Sequence, residues 1–234
     1  MKIILAVYAV IVPTVYLLLS QLNLGGWTFP DTIFTFPGNY HMIVFVAGWF
    51  NLLVGVIMIV FATNELKYKT QRQNVIDGLS KRDVILSKFF VVFLLTSIVT
   101  VYAFIVGAVI GLMYGSPISE IFNGTIYIGL YFISTLGYFT WAYFFANLIR
   151  LPALAIVLYL ASTIVEAIIG MIAAREYYQF FPLRSFAELI PNPILPAGAS
   201  DDYIWGQGAR TLLALLYIAI FIFISYKVIK KRDI

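Results

Sequence analysis

Glu166 is the one acidic or basic residue that falls well inside an apolar run of this chain. A carboxylate there costs about 2.5–3.5 kcal/mol on insertion scales, so such residues face a partner or a water-filled path. Glu166 sits about two turns from the end of its run. It either lines a path or pairs across a dimer, or it is neutral, reaches the interface, or bonds Ser162 or a tyrosine. Asn51 lies near the middle of a second run, between Gly48 and Gly55. A buried amide more often bridges helices than faces substrate. His41, the single histidine, stands at the mouth of that run and reads as an interfacial residue rather than a ligand or proton carrier. With one histidine and no cysteine there is no ordinary zinc set and no thiolate. The phosphate-binding pattern G-x-x-x-x-G-K-[ST] does not occur, nor does any Gly-Lys pair. No Ser–His or Cys–His pair suggests an intramembrane protease. The expectation is a protein that is not an enzyme, with no catalytic residue and no metal site.

The elements that hold these residues follow from composition. The chain is 62% hydrophobic and 11% charged, with mean hydropathy +0.95, whereas soluble domains carry about 25% charged residues. Such a chain belongs in a bilayer. Continuous apolar runs without alternation favour helices over a β-barrel and predict an all-α membrane domain over 1–234. Six spans are expected: Ile3–Ser20, Met42–Thr63, Phe89–Tyr114, Thr125–Leu148, Ala153–Ala174 and Ala209–Val228. The first follows Lys2 like a secretion signal, but it is long and no small-x-small site follows in SQLNLGG, so it reads as a retained span. Trp27, Tyr40, Trp141 and Trp205 lie near span ends or in loops, as an aromatic belt predicts, while Trp49 falls inside span two. With both termini placed in the cytoplasm, that side collects twelve of the fifteen Lys and Arg residues, leaving Arg175, Arg184 and Arg210 outside.

Residues 64–88, NELKYKTQRQNVIDGLSKRDVILSK, concentrate nine charges: Glu65, Lys67, Lys69, Arg72, Asp77, Lys81, Arg82, Asp83 and Lys88. Glu65 and Lys69 are spaced for a helical ion pair. Gly78 is placed to end one helix, and Ser80 with Asp83 to begin the next. The segment reads as helix, Gly-Leu-Ser corner, helix: a rigid basic elbow. It is either a connector fixing topology against anionic lipid or, as its length and caps favour, a docking surface. At the other side of the membrane, residues 175–208 carry Phe180, Phe181, Leu183, Phe186, Leu189 and Ile190 before Pro191, Pro193 and Pro196. They read as one or two short amphipathic helices in the outer interface.

The elbow resembles the cytoplasmic loop of the type-2 ATP-binding cassette (ABC) permease family in Asn64, Glu65, Thr70, Arg72, Gly78, Ser80, Lys81, Arg82 and Lys88. The six-span layout, the short turn near Arg150 and Pro152, and the long segment before the last span are also similar. The resemblance implies the permease subunit of an exporter, dimerised with a second permease subunit in a bacterial inner membrane. Each subunit would sit on a separate ABC ATPase that carries ATP and Mg, with no cofactor in this chain and no nucleic-acid partner. It implies that Asp77, Gly78, Leu79, Ser80, Lys81, Arg82 and Asp83 form a coupling helix in a groove of the ATPase, with Glu65, Thr70 and Arg72 bracing it or touching the ATPase. It further implies that 175–208 is a re-entrant cap over the export path, on which Asn51 and Glu166 would lie. Met1 and Lys2 alone precede the first run here, where the family carries an amphipathic cytoplasmic helix. A reading from another class is a membrane anchor or scaffold that recruits a cytoplasmic partner without transport.

Overall fold

A computed structural model describes residues 2–21, 23–24, 27–28, 30–67, 80–149, 151–173, 175–194 and 206–230. Of the expected elbow, Thr70, Arg72, Asp77, Gly78 and Leu79 lie outside the described residues. Among the described residues the architecture is all-helical apart from one two-residue strand pair, Asn23–Leu24 (β1) against Trp27–Thr28 (β2).

Helix α1 runs Lys2–Gln21 with Pro13 inside it. Proline removes one N–H and frees the carbonyl four residues back. Here that carbonyl, Ala9, accepts from the Tyr102 hydroxyl, and Thr14 bonds Val10 O at 2.7 Å. The helix therefore stays continuous. The second apolar run, expected as the span Met42–Thr63, is broken near its middle. It forms α2 (Gly38–Trp49) and α3 (Asn51–Lys67), bent by 50° at Phe50. The Phe50 N–H reaches back to Ala47 O and Gly48 O, tightening the last turn, and Leu53 and Val54 both donate to Phe50 O. Gly48, just before the break, meets no other atom where a Cβ would be; such positions are usual kink sites.

Helix α4 (Lys81–Met113) is the longest, at 33 residues, followed by α5 (Thr125–Ile149), α6 (Pro152–Ile172), the short α7 (Arg175–Tyr178) and α8 (Pro182–Ala187), and α9 (Gln207–Lys230). Among the described residues, four helices are long and apolar enough to cross a membrane: Leu86–Met113 of α4, α5, α6 and α9. The bent α2–α3 pair makes five. The apolar part of α1, Ile4–Leu19, falls below that length, so the first expected span, Ile3–Ser20, is a shorter helix.

Helix α5 is the hub, packing against α2, α3, α4, α6, α8 and α9. Its buried Ser134, Thr135, Gly137, Thr140, Ala142 and Ala146 let neighbours approach closely. Helix α6 is the least enclosed of the spans. Its join to α3 depends on Gly55, because a Cβ there would stand 2.2 Å from the Tyr159 hydroxyl, and Tyr159 is fully buried. Gly55→Leu is expected to overpack this contact at a cost of about 1–3 kcal/mol. The check is thermal unfolding in detergent, where an unchanged midpoint would show that the α3–α6 joint yields freely.

Candidate functional site

Among the polar residues set in the apolar packing, three groups bear on function. The first lies at the break in the bent span. Asn51 is fully buried, its Nδ2 donates to Thr135 Oγ1 at 3.1 Å, and its Oδ1 accepts from the Tyr131 hydroxyl at 3.0 Å. Tyr131 in turn meets the Tyr8 hydroxyl at 2.7 Å. One continuous chain of hydrogen bonds thus joins α1, α5 and α3. Both ends of the Asn51 amide are engaged between helices.

The second group starts α4. Ser80 Oγ accepts from the Asp83 N–H at 3.2 Å, and Asp83 Oδ2 accepts from the Ser80 N–H at 3.3 Å, a complete capping box. Lys81 and Arg82 occupy the first turn by backbone position, and Glu65 lies in the last turn of α3. Lys88, one turn further, is buried with its ammonium 5.9 Å from the centre of the Phe61 ring. The foot of α4 is therefore capped, and one turn on it meets α3 through the Lys88–Phe61 contact.

The third group is built around Glu166 and is the most elaborate. The inward edge of α6 reads Ala155, Tyr159, Ser162, Glu166, Gly170, a stripe at helical spacing. Ser162 accepts from Trp141 Nε1 at 3.0 Å, so Trp141 ties α5 to α6 rather than serving only a belt. Gly170 leaves room for the Tyr178 ring, which a Cβ would meet at 2.3 Å. Glu166 reaches the connector between α6 and α9. Its Oε2 accepts from the Leu183 N–H at 3.2 Å and its Oε1 from the Arg184 N–H at 2.6 Å. Pro182 opens α8 and has no N–H, Phe181 N bonds Tyr178 O, and Ser185 N bonds Phe181 O. The two amides left over at the start of α8 are those Glu166 takes.

The connector's carbonyls are matched in the same way. Phe180 O accepts from the Tyr217 hydroxyl, Glu188 O from Arg210 Nη1 at 3.3 Å, Leu189 O from Gln207 Nε2 at 2.9 Å, and Pro191 O from His41 Nε2 at 2.8 Å. The His41 ring also stacks on Tyr127 at 4.1 Å. Arg184 pairs with Glu188 and lies over the Tyr178 ring at 5.0 Å. Phe186, fully buried, fills a notch at Gly137, where a Cβ would stand 2.5 Å from its ring. Gly137 is about 18 Å along α5 from its start at Thr125, at 1.5 Å per residue. The connector thus reaches down beside mid-helix positions of α5.

No protein-family model and no curated protein matches this chain. The site's meaning therefore rests on its geometry.

Sequence reasoning singled out Glu166, Asn51 and His41, and among the alternatives for Glu166 named a bond to Ser162 or a tyrosine. The structure gives Glu166 backbone amides 17 and 18 residues away instead. It missed Tyr131, Gln207, Arg210 and Tyr217. The available signal was the polar and small stripe on α6, the reverse of an ordinary amphipathic helix. Arg184 and Arg210, two of the three basic residues on the sparse side of the charge count, both serve this cluster. Among the described residues no group of His, Cys, Asp and Glu is arranged to hold a metal.

Tyr131→Phe is expected to leave Asn51 Oδ1 buried without its donor and to destabilise the bundle by about 1–3 kcal/mol. A thermal melt beside Tyr102→Phe, which leaves the Asn51 chain whole, checks that the effect belongs to this network.

Proposed function

We propose that this chain is the membrane-spanning permease subunit of an ATP-driven exporter, resembling the type-2 ABC permeases and working as a dimer on two separate ATPase subunits. The observation that carries the reading is the foot of α4. A capping box begins the helix, and the same helix continues without interruption to Met113. At 1.5 Å per residue, 33 residues measure about 50 Å, well beyond a hydrocarbon core of about 30 Å. Its apolar part begins at Leu86, so Ser80–Ile85, part of the charge-dense 64–88 segment, stand outside the oily stretch. A load applied at that foot is carried along a rigid rod to Tyr114, which stacks on Phe34 at 5.1 Å near the far end.

On this reading the basic end of the bundle faces the cytoplasm, in keeping with the bias of Lys and Arg. The elbow, Glu65 to Asp83, docks in the ATPase. Closure of two ATPase subunits around ATP and Mg moves the feet, and the bundle shifts between inward-open and outward-open states. Substrate biases that balance only through different affinity for the two states. The connector closes the opposite end and forms the outer cap of the path. The anchor reading needs the same docking foot but no path.

Reconstitution in vesicles with an ABC ATPase encoded beside this chain separates the two. ATP-dependent solute movement supports export, whereas tight association that changes neither ATP hydrolysis nor flux supports an anchor. Gly78→Pro combined with Asp77→Arg is expected to abolish ATPase association while membrane insertion stays normal. Unchanged association would remove the elbow from the interface. Ser80→Ala is expected to weaken the start of α4 by about 1 kcal/mol and to reduce coupling without displacing the ATPase, read as ATP hydrolysed per solute moved.

A further inference from the structure

The end of α6 nearest the connector is held in an unusual way. From Ile164 to Ile172 one side chain is buried, and it is Glu166. Ile164, Val165 and Ile168 are exposed, and Met171 and Ile172 are 85% and 83% exposed. Helix ends are ordinarily seated by apolar side chains. Here two charge-assisted bonds from one carboxylate take that role. Tyr178 over Gly170 adds a second, nonpolar contact, its ring lying in turn under Arg184 of α8.

The other side of the connector is held by packing. Leu183, Phe186 and Leu189 are buried in one apolar cluster with Ala214, Ile218 and Phe221 of α9. Tyr217, Arg210 and Gln207 take its carbonyls. No substantial helix-to-helix packing joins α6 to α9 among the described residues, so they are linked through α5 and, at this end, through the connector. The two joints differ in kind. An interdigitated apolar joint opens only by exposing its area, whereas a carboxylate can exchange two amides for water or other donors.

We propose that Glu166 is a releasable latch. The connector belongs to the body formed by α5 and α9, and the end of α6 docks onto it through this carboxylate. Release of the Leu183 and Arg184 amides frees residues 164–172 while the connector keeps its seat. For its purpose this rests on the export reading: the freed end of α6 opens the path beside its outer cap, and redocking closes it.

The chain has no cysteine, so paired spin labels on introduced cysteines are unique probes. Met171→Cys with Leu212→Cys reports the latched end of α6 against α9. Val157→Cys with Phe223→Cys reports the other half of the same two helices. All four positions are exposed. In the full chain in lipid nanodiscs, pulsed dipolar spectroscopy is expected to show one narrow distance for each pair. Glu166→Ala is expected to shift the Met171–Leu212 distribution to longer, broader distances and to leave the Val157–Phe223 distribution unchanged. Should the alanine variant fail to insert, the isosteric Glu166→Gln carries the same comparison. An unchanged Met171–Leu212 distribution overturns the latch. Equal broadening of both pairs also overturns it, because that outcome is loss of packing rather than release of one end. The measurement uses neither ATP nor ATPase, so its failure leaves the export reading standing, and a lack of flux leaves the latch standing.

Discussion

Inside a bilayer a backbone group that leaves the helical ladder has no water to turn to, so the protein itself must supply its partner. This chain leaves the ladder at Pro13, at Phe50 and along the connector. At Pro13 and along the connector side chains from other elements take the freed groups, while at Phe50 the backbone itself bridges the break. Tyr102 takes the carbonyl that Pro13 frees, and the break at Phe50 is accompanied by the buried Asn51 amide and its tyrosine chain. The connector draws on α2, α6 and α9 together, through His41, Glu166, Tyr217, Gln207 and Arg210. These bonds decide which helices must lie side by side. The apolar surface alone does not, since lipid is as good a neighbour for leucine as another leucine.

The same constraint separates the bundle into parts of different firmness. Helix α5 is enclosed on several sides by small and aromatic residues. Helix α6 touches the rest along one stripe, with Tyr159 set against Gly55 at one level and Glu166 holding amides at another. Helix α4 is stiffened from a capped foot to a stacked aromatic top. A rigid rod, a firm hub and a lightly held edge are the parts a bundle needs if movement at one end is to be felt at the other.

Much of this was legible in the sequence, for local reasons. Apolar runs of spanning length mark α4, α5, α6 and α9 because nothing but burial in lipid explains them. The start of α4 was readable because Ser80 and Asp83 are three residues apart and a capping box is complete within one turn. The break at Phe50 was not readable. Phe-Asn is no helix stop, and Gly48 is one of two flanking glycines of which only the first borders the break. The partners of Glu166 were hidden for a different reason. They are backbone amides, which carry no residue signature, and Pro182 advertises only that a short helix begins there. The matching of Tyr217, Gln207 and Arg210 to connector carbonyls is a product of tertiary placement.

The stripe on α6 has a consequence for how this helix tolerates change. Ala155, Tyr159, Ser162, Glu166 and Gly170 hold all of its contacts with α3, α5 and the connector described above, while its remaining flanks present interchangeable hydrocarbon. Most of the helix can drift among Leu, Ile, Val and Met with little structural penalty. The stripe instead acts as a sparse, evenly spaced code: two small residues, one ring, one hydroxyl and one carboxylate. Two chains sharing that code could differ at nearly every other position of the helix and still dock it the same way.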